Sequence, residues 1–168
     1  ELDKLFETFK SSLSKFDNEN GMANSRARLR MTTLYQVAAA NKGIVVGTGN
    51  KIEDFGVGFY TKYGDGGGDI SPIGDCKKTE VWEMGKELNI LNEIINAQPT
   101  DGLWVDGRTD EDQLGLSYKE LEEAIDNPNS SNREKYEKIR KFMSWPEECD
   151  IMFDHWKQET SDEVIYKD

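Results

Sequence analysis

The sequence predicts an α/β fold, a parallel sheet flanked by helices, of which this chain carries only part. Three observations point there. Ile44-Val45-Val46 is a short continuous apolar run that ends in Gly47-Thr48-Gly49-Asn50, the pattern of a buried strand running into a ligand loop. Segments with helical spacing of apolar residues lie on both sides of it. Only 44–48 is a convincing strand; 57–60, 151–153 and 164–166 are weak candidates. A single buried strand cannot satisfy its own backbone groups, so the remaining strands are expected to lie outside this chain.

The elements follow in order. Leu2, Leu5, Phe6, Phe9, Leu13 and Phe16 recur at helical spacing, which predicts an amphipathic helix over 2–16. A second helix is predicted over 23–40, with Asn41 and Gly43 suited to its C-terminal cap. Residues 61–75 form a glycine-rich loop, followed by a helix over 77–88 with Asp75 as N-cap and Asn89 as stop. A short helix over 91–96 ends before Pro99. The acidic stretch 99–116 reads as a long loop, and long loops in compact domains commonly act as lids or binding loops. Ser117-x-x-Glu120 is a capping box that opens a helix over 118–126, and after Asn127-Pro128 a charged helix covers 133–142.

Composition narrows the function. The 168 residues carry a formal net charge of −12, which argues against general nucleic-acid binding, since that requires a basic face. No apolar run approaches a membrane span. Cys76 and Cys149 fit no metal or redox spacing, and a reducing cytoplasm is the simplest compartment. His155 is the only histidine, so a histidine-centred triad or multi-histidine metal site is not expected. Chemistry here should rest on Lys, Arg, carboxylates and backbone amides.

Four constellations could carry that chemistry, and each has a plainer reading. Arg28 flanks the apolar stripe of the second helix, where its planar fork can reach a buried anion, whereas Arg26 and Arg30 point away together. All three also suit a solvated basic face. Gly47-Thr48-Gly49-Asn50 with Glu53 after it suits a nucleotide at a strand end, glycines admitting the ligand and the carboxylate holding Mg²⁺. An ordinary turn has the same pattern. Lys62-Tyr63-Gly64-Asp65-Gly66-Gly67-Gly68-Asp69 needs unusual dihedrals or close backbone contact, or else is a flexible surface turn. Lys77-Lys78 opens a helix, where positive charge opposes the dipole unless an anion such as phosphate sits there; the alternative is an exposed lysine pair.

Taken together, "ANSRARLRM", "GIVVGTGNKIEDFGVGFYTKYGDGGGDISPIGD", "KKTEVWEMGKEL" and "PTDGLW…RTDEDQLGLSYKELEEAI" resemble the ammonia-dependent NAD⁺ synthetases over roughly residues 1–142. The KYGDGG-x-D run, the PTDGL loop and the DE-x-x-LG-x-SY segment are highly specific to that family. The resemblance implies an adenine-nucleotide α-hydrolase-like (Rossmann-like) parallel sheet with flanking helices. It implies a homodimer with the deamido-NAD⁺ site near the dimer interface. It also implies a ligase: the nicotinate carboxylate of deamido-NAD⁺ attacks the α-phosphate of ATP, releasing pyrophosphate, and ammonia displaces AMP from the adenylate.

Residue by residue, the resemblance assigns Arg28, Lys62 and Asp69 to deamido-NAD⁺, Thr48, Lys78 and Thr100 to ATP, and Glu53 to Mg²⁺. No side-chain nucleophile is implied. Two departures stand out. The family's SGG-x-DS pyrophosphate loop, with a second Mg²⁺ aspartate, is not in these residues and is expected before Glu1. The acidic stretch 143–168 does not resemble the family's basic ending, and His155 takes no role. Residues 1–142 are therefore expected to be a partial synthetase domain, and 143–168 a tail of unknown role. The competing expectation is a non-catalytic fragment or subunit that only binds nucleotide or a partner chain.

Overall fold

The structure is a computed structural model that describes residues 1–104 and 106–143. Val105, the 144–168 part of the acidic tail, His155 and the strand candidates 151–153 and 164–166 lie outside the described residues. Helix α1 (Asp3–Ser12) buries Phe6 against α2 (Glu19–Ala40). Helix α2 starts four residues before the position the apolar spacing predicts. Asn18 is the reason: its Oδ1 accepts from Gly21 N at 2.8 Å and caps a first turn that carries no apolar signal. At the other end Gly43 N donates to Ala38 O at 2.8 Å, but the left-handed residue is Lys42 (φ 55°), neither Asn41 nor Gly43.

The expected buried strand 44–48 is not found. The backbone there makes a single parallel bridge, Val46 to Ile70, and Val45 is the one buried apolar side chain of the run; Ile44 and Val46 are 61% and 52% exposed. Gly47 N donates to Ile70 O at 2.7 Å and Asp69 N to Val45 O at 2.8 Å. One bridge cannot sustain a ladder, and no second strand is present among the described residues to cover the apolar positions. The weak candidate 57–60 is not a strand either, because Ile52–Val57 forms a π-helical turn that closes at Gly58.

The larger core is helical. Ile52 and Val57 of the π-turn pack with Leu114, Leu116, Tyr118, Leu121, Ala124 and Tyr136. These come from α5 (Asp110–Leu114), α6 (Tyr118–Asp126), α7 (Arg133–Met143) and, for Leu116, the turn between α5 and α6. Helix α5 lies inside the stretch expected to be a loop. Thr109 and Asp112 cap it reciprocally: Thr109 N donates to Asp112 Oδ2 at 2.9 Å, and Asp112 N to Thr109 Oγ1 at 3.1 Å. Helix α6 starts on the expected box, with Ser117 N donating to Glu120 Oε2 at 2.8 Å. Helix α3 (Lys78–Glu87) has Lys77 rather than Asp75 at its N-cap, and Lys77 N donates to Glu80 Oε2 at 2.7 Å. Asn89 stops it as expected, left-handed at φ 54°, with Ile90 N donating to Gly85 O at 2.9 Å. Helix α4 (Asn92–Ile95) follows.

Candidate functional site

The π-turn places Glu53. Asn50, almost wholly buried, accepts from Ile52 N at 2.9 Å and Glu53 N at 3.2 Å through its Oδ1, so the turn is fixed from its first residues. Glu53 then projects towards the start of α3, where Lys78 Nζ donates to its Oε1 at 2.9 Å. The residues assigned to metal and to phosphate are thus each other's partner. Tyr118 Oη donates to the same Glu53 oxygen at 2.6 Å, and the Lys78 ammonium lies 4.8 Å from the Tyr118 ring centre. Among the described residues Glu53 Oε2 has only a long 3.5 Å contact, from Asn50 N.

Asp110 completes the cluster. Its Oδ2 lies 3.0 Å from Tyr118 Oη, it is 6% exposed, and its Oδ1 is buried with no hydrogen-bond partner among the described residues. Burial pushes the Asp110 carboxyl above its usual range, against the opposing pull of Tyr118. Burial and the Glu53 charge push the Tyr118 hydroxyl far up, so it remains a donor. One phenolic hydrogen cannot serve two carboxylates. Tyr118 donates to Glu53 Oε1 across the shorter 2.6 Å contact, and Asp110 Oδ2, 3.0 Å away, is its alternative acceptor. Beside them, burial, then the charges of Glu53 and Asp65, push Asp54 up to about 6.

The start of α3 differs from expectation. One of its first backbone amides already faces a protein carboxylate: Thr79 N and Oγ1 donate to Glu122 of α6 at 3.0 and 2.6 Å. Lys77 pairs with Asp126. The lysine pair is therefore neutralised inside the protein, and no external anion is needed to explain its position.

On the other side, α2 organises two loops. Arg28 Nε donates to Lys62 O at 2.9 Å, which brings two of the residues assigned to the dinucleotide together. Arg26 and Arg30, expected to point away, do so into the 101–103 backbone: Arg26 Nη1 reaches Leu103 O at 2.9 Å and Arg30 Nη2 reaches Gly102 O at 3.1 Å. Thr100 is on that loop, its Oγ1 donating to Arg108 O at 3.1 Å. Asp69 is exposed and tied to its neighbours: its Oδ2 accepts from Val45 N at 2.7 Å and its Oδ1 from Tyr35 Oη at 3.1 Å. Thr48 is exposed between the bridge and the π-turn.

The glycines of the two loops serve close backbone contact. A Cβ on Gly68 would lie 2.7 Å from Gly47 N, so the glycine-rich loop and the 47–50 turn lock together there. A Cβ on Gly49 would collide with the Asp54 carboxylate. The left-handed residue in this region is Tyr63 (φ 65°), an uncommon conformation for a bulky side chain. Tyr63, with Met31, Thr32, Tyr35, Gln36, Ala39 and Gly67, lines an open groove of about 660 Å³.

Comparison with known proteins decides the family: the NAD synthase model matches residues 1–161. The chain belongs to the NAD synthase family. An NH3-dependent NAD⁺ synthetase of Thermoplasma acidophilum is 39% identical over 147 residues, 85% of this chain and 60% of that protein. One from Carboxydothermus hydrogenoformans is 43% identical, over 72% of this chain and 51% of that protein. An NMN synthetase structure from Francisella tularensis matches with a TM-score of 0.77 and 33% identity, over 86% of this chain and 63% of that one. The fold is thus that of the NAD and NMN synthetases, an adenine-nucleotide α-hydrolase fold. The chain spans roughly half to 60% of the length of these two curated relatives.

The sequence assigns Arg28, Lys62 and Asp69 to the dinucleotide, Thr48, Lys78 and Thr100 to ATP and Glu53 to the metal; the structure joins Glu53 to Lys78 and Arg28 to Lys62, with Thr48, Thr100 and Asp69 outside these pairs. Sequence reasoning gave no role to Tyr118, Asp110, Asn50 or Tyr35. Tyr118 could have been found: a tyrosine at the first position of a capped amphipathic helix faces the core and must bring its hydroxyl a partner.

Proposed function

We propose that this chain carries the nucleotide-binding and amide-forming residues of an ammonia-dependent NAD⁺ synthetase acting on ATP, deamido-NAD⁺ and ammonia. The observation that carries this reading is the Glu53–Lys78 pair at 2.9 Å, within a member of the NAD synthase family. The donor set fits Mg²⁺, a hard cation that takes oxygen ligands and retains water. Glu53 Oε2 has no strong partner, and the buried Asp110 Oδ1 lacks the donor that a hydrated cation brings. When bound, Mg²⁺ neutralises polyphosphate charge.

The chain's own residues divide the remaining work. Glu53 holds the cation. Lys78, released from Glu53, takes a phosphate oxygen through its side chain, the Thr79 amide beside it being already bonded to Glu122. The hydroxyls of Thr48 and Thr100 hold the nucleotide from the 47–50 turn and the 99–109 loop. Arg28 and Lys62 bind deamido-NAD⁺ beside the 660 Å³ groove, a size suited to a ligand, and Asp69 fixes the loop that presents them. The nicotinate carboxylate then forms a bond to the α-phosphorus as pyrophosphate leaves. Ammonia's lone pair attacks the acyl carbon, AMP leaves, and the nitrogen loses a proton.

The parallel sheet and the homodimer belong to the same proposal. The parallel sense of the Val46–Ile70 bridge supports the sheet. The exposed Leu34, Val37, Ile44, Val46 and Ile70 supply an apolar face on which further strands or a second copy can pack. The likeness to an NMN synthetase favours a second substrate reading, nicotinate mononucleotide. Pyrophosphate release with ATP, ammonia and each substrate in turn tests both. Release with deamido-NAD⁺ supports the main reading; release with the mononucleotide alone replaces it, and release with neither rejects activity in this chain.

A further inference from the structure

We propose that Tyr118 is a positioning residue for Glu53: anchored by Asp110, its hydroxyl fixes the Glu53 carboxylate so that Oε2 stays open to a divalent cation. The proposal rests on the reading of Glu53 as the cation ligand and adds the group that makes it one.

A glutamate side chain has three rotatable bonds and, left to itself, samples many positions for its oxygens. Tyr118 has none of that freedom. It is fully buried, its ring packs edge-on to Trp82 with centroids 6.1 Å apart, and its backbone N donates to Glu111 at 3.0 Å. The hydroxyl is therefore a fixed point set by the helical core. It meets Glu53 Oε1 at 2.6 Å and Asp110 Oδ2 at 3.0 Å. The ring face meanwhile stands against the Lys78 ammonium, so one phenol touches every charged group of the cluster. Because Tyr118 and Lys78 both act on Oε1, the oxygen without a strong partner is always Oε2. If Lys78 leaves for a phosphate, Tyr118 alone keeps that geometry. A structural tyrosine would need only one buried partner for its hydroxyl; this one stands between two carboxylates from separate segments.

The test is Mn²⁺ binding, read by electron paramagnetic resonance with a non-hydrolysable ATP analogue present. The proteins are the full 168-residue chain and its Tyr118→Phe, Glu53→Gln and double variants. Glu53→Gln should weaken Mn²⁺ binding about tenfold or more, and Tyr118→Phe about three- to tenfold. The double variant should bind no more weakly than Glu53→Gln alone, because Tyr118 acts through Glu53. Parent-like binding by Tyr118→Phe, or additive losses in the double variant, would overturn the proposal while leaving Glu53 as a ligand. An unaffected Glu53→Gln would remove the cation reading itself and the proposal with it. Leu121→Ala, a packing change in the same core, should leave Mn²⁺ affinity unchanged at temperatures where it is folded. Should Tyr118→Phe not fold, Glu53→Asp serves instead: it keeps the charge but draws it away from the hydroxyl. Binding must then fall, and parent-like binding would overturn the proposal.

Discussion

Three side chains in this protein are held in a charge state or pairing that a neighbour dictates, and each leads to a measurable outcome. Burial is the first cause of the raised Asp54 pKa, with Glu53 and Asp65 adding to it, and the group titrates near 6 instead of 3.8. The neutral form is favoured in the fold. Its contribution to stability is therefore complete below about pH 4 and is lost as pH rises through 6. Asp54→Asn should flatten the melting temperature between pH 4 and 6. At pH 7 it should exceed the parent by on the order of 1 kcal/mol, solvent screening having reduced the full effect. Thermal melts across pH check this. Lys78 is the second case. Lys78→Met should weaken ATP binding with no rescue by added Mg²⁺, whereas the loss in Glu53→Gln should recover in part as Mg²⁺ is raised. Nucleotide titrations over a Mg²⁺ series distinguish the two. Arg28 is the third: Arg28→Ala should weaken deamido-NAD⁺ by about 1.5–3 kcal/mol and spare ATP, as calorimetry can show.

Between elements, the connections that matter run from helices to loops. Arg26 and Arg30 of α2 hold the 101–103 backbone through their side chains, 70 residues and more along the chain. Replacing both by alanine should speed amide exchange across 100–109 about five- to tenfold, leaving α3 unchanged in the same experiment. The helices themselves were readable from different signals: apolar spacing for α1, the Ser117-x-x-Glu120 box for α6, and a charged run after the Asn127-Pro128 break for α7. Helix α5 was not, since five residues with one buried apolar side chain carry no period; only Thr109-x-x-Asp112 signalled it. The 44–48 run read as a strand because three consecutive apolar residues look the same whether or not a neighbour covers them. The pairs within the site were legible only as separate motifs. Glu53 and Lys78 are 25 residues apart, and Glu53 and Tyr118 are 65 apart. No local periodicity reports a contact at that distance.

At the scale of the molecule, apolar residues are both buried in the helical core and exposed, the latter including the proposed apolar face. The core of the π-turn, α5, α6 and α7 supports the cluster around Glu53, and Leu121 is wholly buried in it. Leu121→Ala should cost about 2–5 kcal/mol by chemical denaturation, the range for a leucine lost from a packed interior. The open face, with Leu34, Val37, Ile44, Val46 and Ile70, should drive association of the chain. Val37→Lys with Val46→Lys should lower the sedimentation-derived mass of any assembly and weaken binding of a hydrophobic dye. Unchanged values for both would show that this face has no partner. Among the described residues no helix is long and apolar enough to cross a membrane.

The Glu53–Lys78 pair has one more consequence, for salt. Before any ligand arrives, a carboxylate and an ammonium balance each other inside a half-buried cluster. When Mg·ATP binds, the cation takes over the Glu53 charge and a phosphate oxygen that of Lys78, so each protein charge exchanges an inner partner for an outer one and neither is left unpaired. A site that gathers polyphosphate on unpaired lysines loses affinity steeply as ions screen it. This one should scarcely respond: from 50 to 300 mM KCl, at fixed free Mg²⁺, Mg·ATP affinity should change less than about threefold. The variant Glu53→Gln, left with an uncompensated lysine, should regain the steep dependence.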